Sequence, residues 1–456
     1  MQNRFLVIFA LSCGMLTQAW SFGKSAPAYR VGVSRMDITP KGGSIWMAGY
    51  AARTAPSQGA LQALWAKALA IEDGRGGRLI VVTADLIGLP RVLTDFVAAE
   101  AMSKYKLERS QIVFNSSHTH TGPVVRGNLD IMGARVPEHI PAVEAYTAEL
   151  RGKLFTVIGA ALGDLQPASL AFEYGETGFA ANRRELRPTG VVIGVNPAGP
   201  VDHKVPVLRV LAPNGKVRAI LFGYACHNTT LTAEFMQLSG DYAGFAQTEV
   251  ERQFPGATAL FVQLCGGDQN PNPRSKLELA QQHGNALASE VARVARTTMA
   301  PVSGRIHSAY QMADLPFAPH TKEQFEKELQ DPNEFKARRA RFMLEAYAER
   351  REPRKLACPV QAIRFDKGFT LIALGGEVVI DYSLWVQRTF AGERLMVAGY
   401  SNDVPSYIPS ARVLKEGGYE AVDSMIYYGQ PGPFTEEVEP RIQDAVQQVM
   451  ARVRKK

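Results

Sequence analysis

Histidine, carboxylate and amide side chains recur in this chain at the ends of apolar runs, and those placements are where chemistry could be done. The first is His118-Thr119-His120 within FNSSHTHTGP, Phe114 to Pro123. In extended backbone a spacing of two puts both imidazoles on one side. A single metal ion could then take one or both of them, whereas two ordinary polar histidines at a loop is the plainer alternative. The second is CHNTT, Cys226 to Thr230, where His227 stands beside hydroxyl and amide groups. The third is GGDQNPNPR, Gly266 to Arg274, a turn of residues that adopt positive φ, Asx-turns and fixed φ. Such a loop can bring backbone N–H groups and Asp268 to a ligand, with Gln269 and Asn272 as candidate substrate contacts.

The elements that must hold these loops follow one grammar: an apolar, β-branched run, a polar glycine-rich loop, then a helical pattern. LWAKALAIED and RLIVVTADLIG flank a GRGG turn and read as a hairpin ending at Asp85, with the helical VLTDFVAAEAMSKY after it. QIVFNSS leads into His118, and a long helix is expected over Glu138 to Leu162. VPVLRVLAPNGKVRAILFGYAC reads as a hairpin turning at Asn214-Gly215 and delivering His227. ATALFVQLC then delivers the GGDQNPNPR turn, FTLIALGG reaches Glu377, and RLMVAGYSN leads to Tyr407. The expectation is an α/β fold, a layered α/β/α domain with mixed sheets and a metal site at strand ends. A charged, helix-rich segment from about 321 to 354 is the candidate for an insertion or lid.

Taken together and in this order, HTHTGP, the CHNTT histidine followed by SGDYAG, and GGDQNPN resemble the N-terminal catalytic domain of the neutral, non-lysosomal ceramidases, zinc-dependent amidases. The resemblance runs from YRVGVSRMDITP to at least Tyr419, and the chain closes on an amphipathic helix where the classical members continue into an immunoglobulin-like domain. It implies Zn2+ held by His118, His227, Glu377 in LGGEVV and Tyr407 in VPSYIPS. His120 is then the histidine that handles the reacting amide, Asp268 a second candidate for the proton shuttle, Tyr419 a substrate-facing tyrosine and Arg183 a substrate-side arginine. One position departs from the family: Asn270 stands where those enzymes carry a serine proposed as nucleophile. An amide cannot act as an activated alkoxide, so the resemblance here implies metal-activated water, with Asn270 a donor to substrate or oxyanion. The expected partner is a lipid or small-molecule N-acyl substrate, such as an N-acyl sphingoid base or N-acyl amino sugar. The alternative is a ligand-binding protein that keeps fold and metal but has lost turnover.

Composition narrows the classes further. At 456 residues, 46% hydrophobic and 21% charged, the chain is globular and long enough for a large core. Arg4, the run FLVIFAL and Ala19-Trp20-Ser21 read as a signal peptide over residues 1–21, placing the mature chain of 22–456 in a secreted or periplasmic setting. The apolar run is too short for an integral membrane span, and Cys13 is a weak lipoprotein signal. Removing the leader takes one arginine and no acid from a formal charge of +7, leaving +6. Basic residues interleave with acids along Phe335 to Arg351, a solvated helical face and no nucleic-acid surface. Of the cysteines at 13, 226, 265 and 358, three survive cleavage, either as buried thiols or with 226 and 265 joined.

Overall fold

The computed structural model describes residues 29–42, 44–133 and 137–455; the leader and Cys13 lie outside them. The hairpin of Trp65–Asp73 and Arg78–Ala84 forms as expected, antiparallel across the GRGG turn. So does that of Lys204–Leu211 and Val217–Tyr224, with Gly215 at φ 81° in its turn.

These strands belong to one mixed sheet of twelve. Its path runs from Leu395–Ala398 through Thr370–Leu374, Lys355–Lys367, Ala300–Pro316, Gln166–Glu176, Tyr29–Asp37, Trp65–Asp73 and Arg78–Ala84 to Ile112–Ser116. A branch leaves Gln166–Glu176 through Lys204–Leu211 and Val217–Tyr224 to Thr258–Gln263. The layered α/β reading holds, with one addition: the sheet is folded so that two of its faces meet. Successive strand residues point to opposite faces. Thus Leu69, Ile71, Val81 and Val113 turn inward against Leu221, Leu260, Val262, Ile363 and Leu371. The alternate residues Ala70, Ile80, Val82 and Phe114 turn outward onto helices Arg91–Tyr105 and Ile140–Gly163. On the far side, Ile220, Phe222 and Phe261 meet helices Asp241–Gln253 and Leu277–Ala295. Val360, Ile372 and Leu374 meet Ile380–Thr389 and Val438–Arg454. The order is helix, sheet, sheet, helix. Gly32 permits part of it, since a Cβ there would stand 2.0 Å from the Ala161 carbonyl oxygen.

Three strand pairs of this sheet are parallel: Arg78–Ala84 with Ile112–Ser116, Val217–Tyr224 with Thr258–Gln263, and Thr370–Leu374 with Leu395–Ala398. The loops leaving these strands carry His118, His227, the 266–274 turn, Glu377 and Tyr407, so the chemistry collects at their carboxyl ends. The charged segment forms helices Lys322–Glu328 and Glu334–Ala348, capped by the Thr321 and Asn333 side chains. They share a small core of Phe325, Ala340 and Met343, and Phe335 packs edge-on against Tyr427. Cys226, Cys265 and Cys358 are buried free thiols, the first of the two alternatives. No described helix is long and apolar enough to cross a membrane.

Leu221, wholly buried where the two sheet faces meet, sets the stability test. Leu221→Ala should cost about 2–5 kcal/mol in urea unfolding, while Val92→Ala, at a side chain 73% exposed, should stay within about 0.5 kcal/mol of the parent.

Candidate metal centre and reaction pocket

His118 follows its strand with φ 61°, a left-handed conformation uncommon outside glycine, stabilised by its N–H donating to the Leu86 carbonyl at 2.9 Å. The backbone is therefore not extended through the pair, yet the two imidazoles still meet, with Nε2 to Nε2 at 3.1 Å. Asn228 helps, since its carbonyl accepts from the His120 N–H at 3.2 Å and pins the first histidine loop to the second. Glu377 and Tyr407 lie side by side in a short parallel pairing of Glu377–Val378 with Tyr407–Ile408. His118, His227, Glu377 and Tyr407, 289 positions apart at the extremes of the sequence, thus form one buried group.

The orientation of the imidazoles decides what the group can hold. The His118 Nδ1 lies 2.6 Å from the Ile87 carbonyl and the His227 Nδ1 2.7 Å from the Gly266 carbonyl. A carbonyl only accepts, so Nδ1 carries a proton in both rings and Nε2 is the nitrogen each ring turns toward the rest of the group. Both Nε2 atoms face the same atom, Glu377 Oε2, each at 3.0 Å. His227 Nε2 is also 3.2 Å from the Tyr407 hydroxyl. Burial, with Arg183 next, lowers the His227 pKa to about 3, so this ring is neutral. Burial alone would raise the Glu377 carboxyl, but the two histidines outweigh it and hold it well below the carboxylate range. Two imidazole nitrogens, a carboxylate and a phenol oxygen thus converge in a dry interior, a donor set that a shared cation would satisfy. Spacings of 3.0–3.2 Å also suit tetrahedral ligands with bonds near 2.0–2.1 Å, whose edges are roughly 3.3 Å. The buried His118, His120 and His227 cluster is able to hold a metal ion.

His120 differs from the other two. Its Nδ1 is buried with no hydrogen-bond partner among the described residues. Burial and the neighbouring His118 and His227 hold its pKa well below the usual value. Gly49, at φ 96°, makes room for it: a Cβ there would come within 2.5 Å of the His120 Nδ1. His120 opens onto a cavity of about 190 Å3 that Arg183, Tyr407 and Tyr419 also line. Arg183 donates to the Tyr407 hydroxyl at 2.9 Å and to Glu420 at 2.7 Å, which fixes the phenol.

Sequence reasoning missed several supports. Tyr428 donates to Glu377 Oε1, the Tyr400 ring lies 4.5 Å from that of His118, and Glu420 anchors both Arg183 and Arg184. None stands in a recognisable pattern, and MIYYGQ around Tyr428 reads as an ordinary helix end.

Several expected site residues have other partners. The Asp268 oxygens accept from the Ile380 N–H at 2.9 Å, Gln269 Nε2 at 3.0 Å and Asn182 Nδ2 at 3.0 Å, so it shapes the turn. The Asn270 amide, oriented to satisfy its neighbours, donates to Thr229 Oγ1 at 3.2 Å and the Gln269 carbonyl at 3.3 Å. That leaves no free donor for an oxyanion. Gln269 sends its amide to the Pro200 carbonyl and Asp268, and Asn272 is exposed; neither lines the cavity. Asp85 accepts from the Trp65 N–H and Gln247, and Asp241 from the Leu231 and Tyr242 N–H groups.

The profile of the family described as neutral/alkaline non-lysosomal ceramidase, N-terminal, matches residues 29–319. The chain belongs to this ceramidase family. Among relatives it is 24% identical over 335 residues to the neutral ceramidase of Pseudomonas aeruginosa, covering 68% of this chain and 48% of that protein. It is 23% identical over 273 residues to neutral ceramidase B of Dictyostelium discoideum, covering 54% and 36% respectively. The chain spans about half or less of the length of these ceramidases. A crystal structure of the P. aeruginosa neutral ceramidase superposes with a TM-score of 0.72 at 19% identity, over 94% of this chain and 75% of that one.

Elemental analysis of the purified protein should find one divalent ion per chain, and His227→Ala and Glu377→Ala should each lose it on dialysis. Gly49→Ala should retain the ion, because the methyl group meets His120 and none of the four converging groups.

Proposed function

We propose that the protein is an exported zinc-dependent amidohydrolase that cleaves an N-acyl bond, with His118, His227, Glu377 and Tyr407 as metal ligands. The observation that carries this reading is the pair of imidazole Nε2 atoms aimed at one carboxylate oxygen beside a cavity. Two nitrogens, a carboxylate and a phenol oxygen, with no thiolate, suit hydrolytic zinc. Bound there, the ion supplies a Lewis acid for the carbonyl and a water of pKa near 7.

The rest falls to side chains. His120, neutral and unrestrained at Nδ1, takes a proton at Nε2 and returns it to the leaving nitrogen, without which an amide does not expel its amine. Arg183 and Tyr419 orient the carbonyl from the cavity side, and Tyr428 steers the Glu377 carboxylate. With no serine in the 266–274 turn, attack belongs to water. The substrate classes to be separated are an N-acyl sphingoid lipid, in keeping with the relatives' name, an N-acyl amino sugar and an N-acyl amino acid. Export rests on the pattern of residues 1–21.

Asn270 in the serine position favours a second reading, a ligand-binding protein of the same fold with weakened turnover. Screening the zinc-loaded protein against N-acyl sphingoid bases, N-acetyl amino sugars and N-acyl amino acids separates the two. Hydrolysis of one class, abolished in Glu377→Ala and reduced about 10²- to 10⁴-fold in kcat by His120→Ala with zinc retained, is the expected result. Full zinc occupancy with no turnover of any amide would establish the second reading.

A further inference from the structure

The reaction cavity carries a cation that the proposed chemistry does not use. Arg274 lines it, and its Nη2 donates to the Tyr50 hydroxyl at 3.1 Å while Nη1 donates to Asn270 Oδ1 at 3.2 Å. Its Nε is buried without a partner. A guanidinium offers five N–H donors, so these two bonds leave most of its capacity unused. Arg183, by contrast, pairs with Glu420, and Arg184 with Glu420 and Glu416. Among the described residues no carboxylate forms an ion pair with Arg274. The two acids whose fields reach it are otherwise engaged: Glu234 accepts from the Thr232 hydroxyl and Asp241 from the Leu231 N–H.

A partly buried guanidinium with unanswered donors is costly unless an acceptor reaches it. A ligand can bring that acceptor, because Arg274, Tyr50, Asn270 and His120 all line one cavity of about 190 Å3. That space holds roughly six waters at about 30 Å3 each and falls short of the ~300 Å3 at which drug-sized pockets begin. An anion on Arg274 therefore sits a few bonds from an amide at His120. One cation balances one charge, and the planar fork matches the two oxygens of a carboxylate.

We infer that the substrate is an amide bearing a carboxylate a few bonds from the scissile bond, and that Arg274 is the residue that selects it. An N-acyl amino acid has this chemistry on the amine side; an N-dicarboxylyl amine has it on the acyl side. The inference rests on the amidohydrolase reading. Hydrolysis breaks the C–N bond, leaves the oxygen of water on the acyl carbon and a proton on nitrogen, and yields a carboxylic acid and an amine with no change of oxidation state.

The test compares N-hexanoylglycine, N-glutarylhexylamine and the neutral N-hexanoylethanolamine, in kcat/KM and in calorimetric binding to the zinc-loaded protein. One of the carboxylates should be preferred by about 10- to 100-fold, the range of a charge-assisted hydrogen bond, and which one it is identifies the side of the amide. In Arg274→Gln the preference should shrink to within about threefold, and Tyr50→Phe, which removes only the hydroxyl accepting from Arg274, should reduce it less. Equal binding of the neutral and acidic amides by the parent protein, or a preference that survives Arg274→Gln, would overturn the assignment. Carboxylate-dependent binding without turnover would instead overturn the hydrolase reading and leave this one standing.

Discussion

Glu377 Oε2 stands 3.0 Å from two imidazole nitrogens whose protons are committed elsewhere, and the rest of the site is arranged around that contact. A buried carboxylate is costly without a counter-charge. A divalent ion held among these groups would supply that charge.

The fold holds that contact in place by making its donors short extensions of a rigid double sheet. Each of the two histidines facing Glu377 is propped by a carbonyl, Ile87 for one and Gly266 for the other. Glu377 and Tyr407 share a strand pairing, and Tyr428 and Arg183 fix the remaining oxygens. These props come from different loops, so misplacing any one element loosens the whole set. His120 lacks such a prop at Nδ1, consistent with a ring that exchanges protons while its neighbours stay still.

Much of this was legible in the sequence. The apolar runs and turn residues give the hairpins, the helices and the α/β layering, because their periodicities are local. The folding of the sheet against itself was not legible, since it depends on which distant strands pair. His118, His227, Glu377 and Tyr407 were found through the resemblance, because each lies in a short motif. Tyr428, Tyr400, Glu420 and Gly49 reach the site from segments with no motif of their own. Asp268 shows the opposite failure. A carboxylate in a glycine-rich turn reads equally well as a reactive group or as an acceptor for backbone N–H groups, and only the hydrogen bond from Ile380 decides.

X-ray absorption at the zinc edge of the loaded protein tests the shared ion most directly. The account predicts only nitrogen and oxygen neighbours near 2.0–2.1 Å, with multiple scattering from two imidazoles. A shell with three imidazoles would make His120 a ligand and remove it from proton transfer, and sulfur near 2.3 Å would place the metal elsewhere; either result contradicts the account.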